Sequence, residues 1–268
     1  MKTVYRYKSL EDYLISSPLT VDASIDDGWG ARFPVKGREI NATILFADIT
    51  AFTRRTSVMS PTETLIFVNN FFSWITAEAI KDTPGIIDKY IGDEVMVIFS
   101  EEFGSENPFI DALRCARGMA ERDMLSFCPH IGISSGVIIA GFVGTPVKYN
   151  VSVFGRPVTI ASRCAGVESP EAASSSIVFP SDLWHEDYNL DVIFPPIQYR
   201  RPDDSIYHQP HPWKLLDARD VSLKNVGSFK IREIVNQAMH FPQQSAEERA
   251  KECFSILKER GFYRQQSK

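Results

Sequence analysis

Asp48 and Asp93 are the two residues whose type and position point most directly to chemistry. Asp48 closes an apolar run within Ala42–Thr53 (ATILFADITAFT), and Asp93 follows 45 residues later in a Gly-Asp turn. Each has an ordinary explanation on its own, a helix cap for the first and turn chemistry for the second. If they are brought together, however, two carboxylates repel each other unless a cation lies between them. The pair therefore predicts a divalent metal site with oxygen ligands.

The elements around these two acids are expected to bring them together. Residues 44–47 are apolar β-formers, which is typical of a buried strand ending at Asp48. Residues 49–53 then turn the chain, and their backbone N–H groups, which have no neighbouring strand, suit a phosphate. A hairpin is predicted around Gly92-Asp93, with strands at residues 85–91 and 94–99. A strand–helix–hairpin order would place Asp93 beside Asp48.

Two amphipathic helices are expected to cover one face of this sheet. The first begins at Ser60-Pro61-Thr62-Glu63, the pattern of a capping box with proline at the first helical position. Thr83-Pro84-Gly85 is expected to end it. The second spans residues 108–127. The predicted apolar face of the first helix consists of Leu65, Val68, Phe72, Ile75 and Ala79.

The remaining chain is predicted to extend the same sheet and then become irregular. Residues 130–144 read as two strands that bend at Gly136 and Gly141, and residues 147–154 as another strand. A helix at 157–165 carries Arg163. Residues 168–220 are irregular and rich in proline, with a long inserted loop at about 190–215. A closing hairpin at 221–235 and a terminal helix at 246–260 follow.

The predicted organisation has three parts: an N-terminal extension over 1–40 with a short helix at 10–15, one domain over 41–236, and a C-terminal helix within 237–268. The composition is that of an ordinary globular protein, with 44% hydrophobic and 24% charged residues among 268. The net charge of −5 argues against a nucleic-acid surface but permits a small anionic ligand held by local cations.

No secretory signal or membrane-spanning apolar run is recognisable, so we expect a cytoplasmic protein that does not bind membranes. The four cysteines show no CxxC spacing, which favours single buried thiols over disulfides or a zinc site.

Three stretches in one order, FADITAFT, DKYIGDEVMVIF and KYNVSVFGRPVTIASR, resemble the class III nucleotide cyclase domain. The family's corresponding patterns are FADIxGFT, DKFIGDxxMxxF and YTVIGDxVNxAxR. The resemblance implies an α/β fold, an α+β sandwich related to the ferredoxin-like arrangement, that works as a homodimer with active sites at the interface. It also implies attack of a ribose 3′-hydroxyl on the α-phosphate of a nucleoside triphosphate, with pyrophosphate leaving.

The resemblance assigns roles to individual residues. Asp48 and Asp93 would hold two Mg²⁺ or Mn²⁺ ions, with the Ile49 carbonyl as a further ligand. Arg163 of the other subunit would stabilise the charge that develops on the phosphate. The triphosphate tail would be bound by the backbone N–H groups of Ile49, Thr50, Ala51, Phe52 and Thr53. The base and the ribose would be contacted by Lys89, Ser152 and Thr159.

Departures from the family pattern concern the base and the ribose. Lys89 is the residue found in adenine-selecting members, but Ser152 stands where they have Asp or Thr. Thr159 replaces the Asn that positions the ribose, and Arg156 replaces the usual Asp. Ala51 replaces the second glycine of FADIxGFT. A complete metal end combined with an altered recognition end predicts a different base and not an inactive enzyme.

The compact chain, with a long C-terminal insertion and no sensor domain, is most similar to the Pycsar pyrimidine cyclases of bacterial antiphage defence. Members of that group make cyclic UMP or cyclic CMP, which activates a cell-killing effector. The resemblance therefore implies UTP as the favoured substrate, CTP as the next, and an effector protein that senses the product as an indirect partner.

Three alternatives stay open. An adenylate cyclase would also tolerate Lys89 with Ser152, because a lysine donates to an adenine nitrogen and to a pyrimidine carbonyl alike. A non-catalytic module for nucleotide binding or dimerisation is supported by Thr159, although the two aspartates and the arginine count against it. A diguanylate cyclase is suggested by Gly92-Asp93-Glu94, which is similar to GGDEF, but Ile91 replaces the first glycine of that signature.

Overall fold

The computed structural model describes residues 6–26, 32–76, 80, 83–121, 127–145, 148–200, 203–238 and 245–259. The helices are α1 (Leu10–Ser16), α2 (Phe52–Thr56), α3 (Pro61–Trp74), α4 (Pro108–Glu121), α5 (Arg156–Ala165), α6 (Leu190–Ile193) and α7 (Ala246–Glu259). The strands are β1 (Val21–Asp26), β2 (Arg32–Asp48), β3 (Ile86–Ile91), β4 (Glu94–Phe99), β5 (His130–Thr145), β6 (Lys148–Phe154), β7 (Ser176–Pro180), β8 (Ile197–Arg200), β9 (Ile206–Gln209), β10 (Trp213–Leu215), β11 (Arg219–Leu223) and β12 (Gly227–Asn236).

A ten-stranded mixed sheet organises the molecule. Its strands follow the order β10-β12-β7-β5-β2-β4-β3, with β1 paired to β2, β6 to β5 and β11 to β12. β5 and β7 run parallel. Helices α3 and α4 pack on one face of the sheet, and α1 and α5 pack on the other. The α/β fold class expected from the sequence is confirmed.

The predicted first strand is confirmed and is longer than expected. It begins at Arg32, ten residues before Ala42, and ends at Asp48. Because β4 and β5 flank it and helices cover both faces, its last part, residues 44–47, is a continuous apolar run. Its buried side chains divide between the two faces, Leu45 and Ala47 on one, Ile44 and Phe46 on the other. The long central strand fixes Asp48 at one end of a rigid sheet.

The predicted start of α3 is confirmed, but its predicted apolar face is confirmed only in part: Ile75 is buried, and Val68 and Phe72 are partly buried against the core. Ser60 and Glu63 form the reciprocal hydrogen bonds of a capping box. Leu65, expected in the core, is 64% exposed. The fully buried residues are Phe67 and Phe71 of α3 and Ile75 immediately after it, and they are spaced four apart.

Aromatic packing explains this rotation of α3. The rings of Phe67 and Phe71 each lie 5.2 Å from the ring of Phe127, which no helical periodicity within α3 could reveal. The helix ends at Trp74, and Ala79, predicted on its apolar face, lies outside the described residues.

The β3–β4 hairpin is confirmed, with Gly92 and Asp93 in its turn. The second predicted helix, α4, packs against the same core as α3, as expected, and its described part ends at Glu121. Phe127, the last residue of the predicted helix, is not helical.

β5 is one continuous strand, not the two strands predicted. It pairs with β2 from His130 to Phe142, and within it Gly136 has a φ of 149°, which suits glycine. The β6 strand is confirmed beside it. At Gly132 the absent side chain matters more, since a Cβ would come within 2.0 Å of the Ala161 carbonyl oxygen. That close approach lets α5 lie directly on β5.

The irregular region contains more regular structure than predicted. The inserted segment carries a separate two-stranded sheet, β8 with β9, where a loop was expected. Trp213 anchors the inserted segment, because its ring is buried and its Nε1 donates to Glu121 at 2.9 Å. The closing hairpin is confirmed as β11 and β12. The terminal helix is confirmed as α7, which contacts α2 and buries Phe254 and Leu257.

The N-terminal helix is confirmed as α1, and β1, which was not predicted, pairs with β2. Arg38 forms a 3.0 Å ion pair with Glu102, which also accepts a hydrogen bond from Tyr13 of α1. Cys115, Cys128 and Cys164 are buried, as expected, and the side chain of Cys253 is not among those described. In the described part of the chain, no helix is long and apolar enough to cross a membrane.

Candidate active site

Asp48 lies in a row of ionisable residues across three strands. It is paired with Glu94 on β4 and with His130 on β5. Burial lowers the pKa of His130, so its ring is neutral near pH 7. Burial raises the pKa of Glu94, and the negative charge of Asp93 adds to this shift. The end of the central strand is thus a half-buried acidic cluster.

Asp48 and Asp93 are brought together, as the sequence predicted. Burial raises the pKa of Asp48 to about 8, and a hydrogen bond with Asp93 and the charges of Asp93 and Glu94 act in the same direction. The Ile49 N–H opposes them by donating to the carboxylate. Two carboxyls can share a hydrogen bond only when one holds a proton. The pair therefore binds a positive charge, either a proton or a metal cation.

A divalent cation fits this arrangement. Oδ1 of Asp48 is buried and has no hydrogen-bond partner in the described structure, so a strong acceptor is left over where a cation ligand is expected. The Ile49 carbonyl accepts one hydrogen bond, from Phe52 at 3.3 Å, which leaves a second lone pair. Carboxylate and carbonyl oxygens suit Mg²⁺ or Mn²⁺. The described residues contain no cluster of three metal-ligating side chains, so this donor set depends on the two aspartates.

The turn after Asp48 is held by hydrogen bonds within the chain. The Thr50 N–H donates to the Phe127 carbonyl and the Phe52 N–H to the Ile49 carbonyl, both at 3.3 Å. Ala51 adopts the left-handed conformation, with φ 55° and ψ 35°, which glycine adopts at lower cost. Binding of a triphosphate to these N–H groups stays a prediction, and Thr50 and Phe52 would have to exchange or share their present acceptors.

Lys89 and Ser152, predicted to read the base, are also brought together. Nζ of Lys89 donates to Oγ of Ser152 at 2.7 Å. In the strand order β6-β5-β2-β4-β3, three strands separate the two residues. Neighbouring strands are about 4.8 Å apart, so the contact exists because the sheet curls. The two residues line a cleft of about 550 Å³.

Thr159 and Arg163 lie four residues apart on α5 and therefore on one helix face. Thr159 is exposed. Nε of Arg163 is buried and has no hydrogen-bond partner in the part of the chain that the structure describes. The charge of Arg163 lowers the pKa of Glu94 in the same chain. Its predicted action across a dimer interface stays a prediction.

Two residues of this region were missed by the sequence reasoning, Glu94 and Asp88. Glu94 could have been found from the hairpin register, because a two-residue turn at Gly92-Asp93 places it at the end of a strand next to Asp48. Asp88, buried beside Lys89 in a 3.1 Å ion pair, has no such signal, because a regular strand would turn adjacent side chains to opposite faces.

Comparisons with known proteins find matches to one family in sequence and in structure. The family model described as the adenylate and guanylate cyclase catalytic domain matches residues 35–174, just over half of the chain. An uncharacterized protein of Mycobacterium tuberculosis, Rv1319c, is 28% identical over 152 residues, which are 56% of this chain and 28% of that protein. A second one, Rv1318c, is 30% identical over 135 residues, 49% of this chain and 25% of that protein. The chain thus spans under a third of the length of these relatives.

Solved structures show the same fold. The adenylyl cyclase CyaB from P. aeruginosa has a TM-score of 0.54 at 18% identity, covering 76% of this chain and 98% of its own. A bacterial light-regulated adenylyl cyclase has a TM-score of 0.55 at 19% identity, and the match covers 81% of this chain and 58% of that one. The guanylyl cyclase Cya2 has a TM-score of 0.53 at 18% identity, covering 76% and 96%. With the family-model match, these findings show that the chain belongs to the adenylate and guanylate cyclase catalytic domain family.

Proposed function

We propose that this chain is a nucleotide cyclase that converts a pyrimidine nucleoside triphosphate, UTP in preference to CTP, to its 3′,5′-cyclic monophosphate and pyrophosphate. The observation that carries the proposal is the Asp48–Asp93 pair. The two carboxyls lie near each other at the end of the central strand, where Asp93 raises the pKa of Asp48, and Oδ1 of Asp48 is buried without a hydrogen-bond partner among the described residues. Membership of the cyclase family supplies the class of reaction.

Each residue of the site has a part in this reaction. The two aspartates and the Ile49 carbonyl hold a pair of divalent cations, Mg²⁺ or Mn²⁺. When bound, the two ions acidify the ribose 3′-hydroxyl and neutralise charge on the leaving pyrophosphate. The turn at residues 49–53 orients the triphosphate tail through backbone N–H groups. Arg163 stabilises the negative charge of the transition state, as its buried Nε, which has no hydrogen-bond partner in the described part of the chain, allows.

The identity of the base rests on Lys89 and Ser152. Their 2.7 Å contact forms a small polar cluster, and among the described lining residues of the cleft β6 contributes no carboxylate, only the Asn150 amide, the Ser152 hydroxyl and the cation Lys148 as polar side chains. A pyrimidine carbonyl can accept from such a cluster. We further propose that the protein acts as a homodimer in the cytoplasm, and that its product is a second messenger of antiphage defence sensed by a separate effector.

Adenylate cyclase activity is the second candidate. Lys89 favours it, since its ammonium group lies in the cleft and can donate to an adenine ring nitrogen as readily as to a carbonyl. Solved structures that this chain is similar to include adenylyl and guanylyl cyclases. ATP and GTP are therefore the natural comparison substrates.

A panel of the four ribonucleoside triphosphates tests the proposal. The full-length protein is incubated with each nucleotide and Mn²⁺, and the cyclic product and pyrophosphate are quantified. We expect the highest kcat/KM with UTP and a lower value with CTP. Product from ATP alone would support the adenylate cyclase, and no product from any nucleotide would leave only a binding or dimerisation module.

A further inference from the structure

A β-bulge places an unassigned acidic residue at the base-binding cleft. In the pairing of β3 with β4, Ile87 opposes Val97 and Lys89 opposes Met96, so Asp88 is an extra residue without a partner. A bulge re-aims side chains that a regular strand would turn to opposite faces. The carboxylate of Asp88 and the ammonium group of Lys89 consequently lie 3.1 Å apart.

The burial of the two side chains differs sharply. The side chain of Asp88 is 3% exposed, whereas that of Lys89 is 33% exposed. Both residues line the 550 Å³ cleft together with Ser152, and that volume is in the range of small-molecule sites. Asp88 thus forms the inner end of a short chain that runs from the carboxylate through the ammonium group to the Ser152 hydroxyl.

The hydrogen-bond capacity of these groups restricts what the cleft can bind. An ammonium group has three donors and no acceptor. The ammonium group donates to Ser152, and it forms an ion pair with Oδ2 of Asp88 that lacks the geometry of a hydrogen bond, so Lys89 has at least one N–H left for a ligand. Oγ of Ser152 accepts from Lys89, and its own hydrogen is then available for donation. The cluster offers two donors, which match a carbonyl oxygen of a base and oppose an exocyclic amino group.

We propose that Asp88 is a specificity-determining residue that positions Lys89 and Ser152 as a pair of donors for a nucleobase carbonyl oxygen. This inference rests on the proposed function, since it concerns the base of the same substrate. Uracil presents a carbonyl where cytosine and adenine present an amino group. Two donors at that position favour UTP over CTP and over ATP, whose adenine ring nitrogen can accept only one of them. Guanine also presents a carbonyl there, so GTP is the nucleotide that the binding measurements must separate from UTP. Asp88 acts through Lys89 and does not itself touch the base.

The test uses Asp88→Asn in the full-length protein, because asparagine retains the shape of the side chain and removes its charge. Dissociation constants are measured by calorimetry in the presence of Mn²⁺. The ligands are the 3′-deoxy forms of UTP, CTP, ATP and GTP, all of which lack the reacting hydroxyl, and inorganic tripolyphosphate. Steady-state kcat and KM are measured with the natural nucleotides. Ser152→Ala is the second variant, in case Asp88→Asn does not fold.

We expect Asp88→Asn to weaken the binding of 3′-deoxy UTP about tenfold, to raise KM for UTP by a similar factor, and to leave kcat within about threefold. The preference for UTP over ATP should shrink, while tripolyphosphate binding should not change. Ser152→Ala should shift the same preference in the same direction. The matched control is Glu171→Gln, which removes the carboxylate from the exposed 3.0 Å ion pair with Lys214 and should alter none of these values.

The inference would be overturned if Asp88→Asn and Ser152→Ala left the nucleotide affinities and the base preference unchanged. It would also be overturned if the affinities for all four nucleotides and for tripolyphosphate fell by the same factor. Failure of the proposed function is distinguishable from these results. If the wild-type protein forms no cyclic product but binds 3′-deoxy UTP selectively, and Asp88→Asn removes that selectivity, the cyclase proposal fails and the role of Asp88 stands.

Discussion

At the scale of single residues, the site depends on placing two acids where water cannot fully solvate them. Asp48 ends a strand that is buried on both faces, and Asp93 approaches it from the turn of the neighbouring hairpin. Desolvation and like charge both disfavour two ionised carboxylates, so the pair is poised to take up a cation. The stability of the metal-free protein should report this directly.

We predict that the metal-free protein loses stability as the pH rises from about 4 to about 8. The pKa of Asp48 is raised to about 8 in the fold, so the contribution of this group is fully present below its unfolded pKa of about 4 and is lost as the pH passes the folded pKa. Urea unfolding in EDTA between pH 4 and pH 9 measures this loss. Asp48→Asn should reduce the change in the free energy of unfolding between pH 4 and pH 8, and Mn²⁺ should restore the stability of the wild-type protein at pH 8. An identical pH dependence in Asp48→Asn would contradict the assignment.

We predict that Ala51→Gly stabilises the protein by about 1 kcal/mol. Ala51 has a φ of 55°, and the left-handed conformation costs a residue with a Cβ roughly 1–2 kcal/mol more than glycine, part of which glycine loses again through its greater freedom in the unfolded chain. Urea unfolding measures the change. The control is Ala173→Gly, an exposed loop alanine without positive φ, which should be neutral or destabilising. Destabilisation by Ala51→Gly would show that the turn is not strained.

At the scale of elements, what the sequence predicted well was local. Apolar runs, the capping box at Ser60 and the Gly92-Asp93 turn specify β2, the start of α3 and the β3–β4 hairpin, because each signal lies within a few residues. The rotation of α3 could not be predicted. Its buried face is selected by Phe127, a residue more than 50 positions away in sequence.

We predict that Phe71→Ala lowers the free energy of unfolding by about 3–5 kcal/mol, since its ring is fully buried and a cavity would remain. Leu65→Ala, on the same helix but 64% exposed, should change stability by less than about 0.5 kcal/mol. Denaturant unfolding of both variants measures the difference. A larger effect at Leu65 than at Phe71 would favour the face predicted from the sequence over the one observed.

The candidate site shows the same limit. Asp48 and Asp93 were predictable as a pair because strand ends and turns are local signals and the order of elements places them together. The contact of Lys89 with Ser152 required the resemblance to a family, since it joins strands that three others separate. The bulge at Asp88 had no sequence signal, because nothing in residues 86–91 distinguishes a bulged strand from a regular one.

At the scale of the whole molecule, the question is how two copies would share the site. In a single chain, the charge of Arg163 acts on Glu94, next to Asp93. The buried Nε of Arg163 has no partner among the described residues. The proposed homodimer gives that group a function across the interface, because one protomer would supply the two aspartates and the other the arginine.

We predict that two inactive variants restore activity when they are mixed. Asp93→Ala and Arg163→Ala should each be inactive alone. A heterodimer of the two contains one site with both changes and one site with neither, so co-refolded mixtures should regain up to about a quarter of wild-type activity, because half of the dimers are mixed and each carries one intact site. Cyclic-nucleotide formation measures it. A mixture that stays inactive while forming heterodimers would place Arg163 in the same protomer as the aspartates.

The most direct test of the account is the rate of cyclic-nucleotide formation by Asp93→Ala, measured with Mn²⁺ and the nucleotide that the wild-type protein uses best. We predict a loss of about a hundredfold or more, since even residues in the outer shell of metal sites cost 10–100-fold. Urea unfolding verifies that the variant is folded, and Glu171→Gln serves as a distant carboxylate control. Product formation at the wild-type rate by folded Asp93→Ala would contradict the metal site and the function built on it.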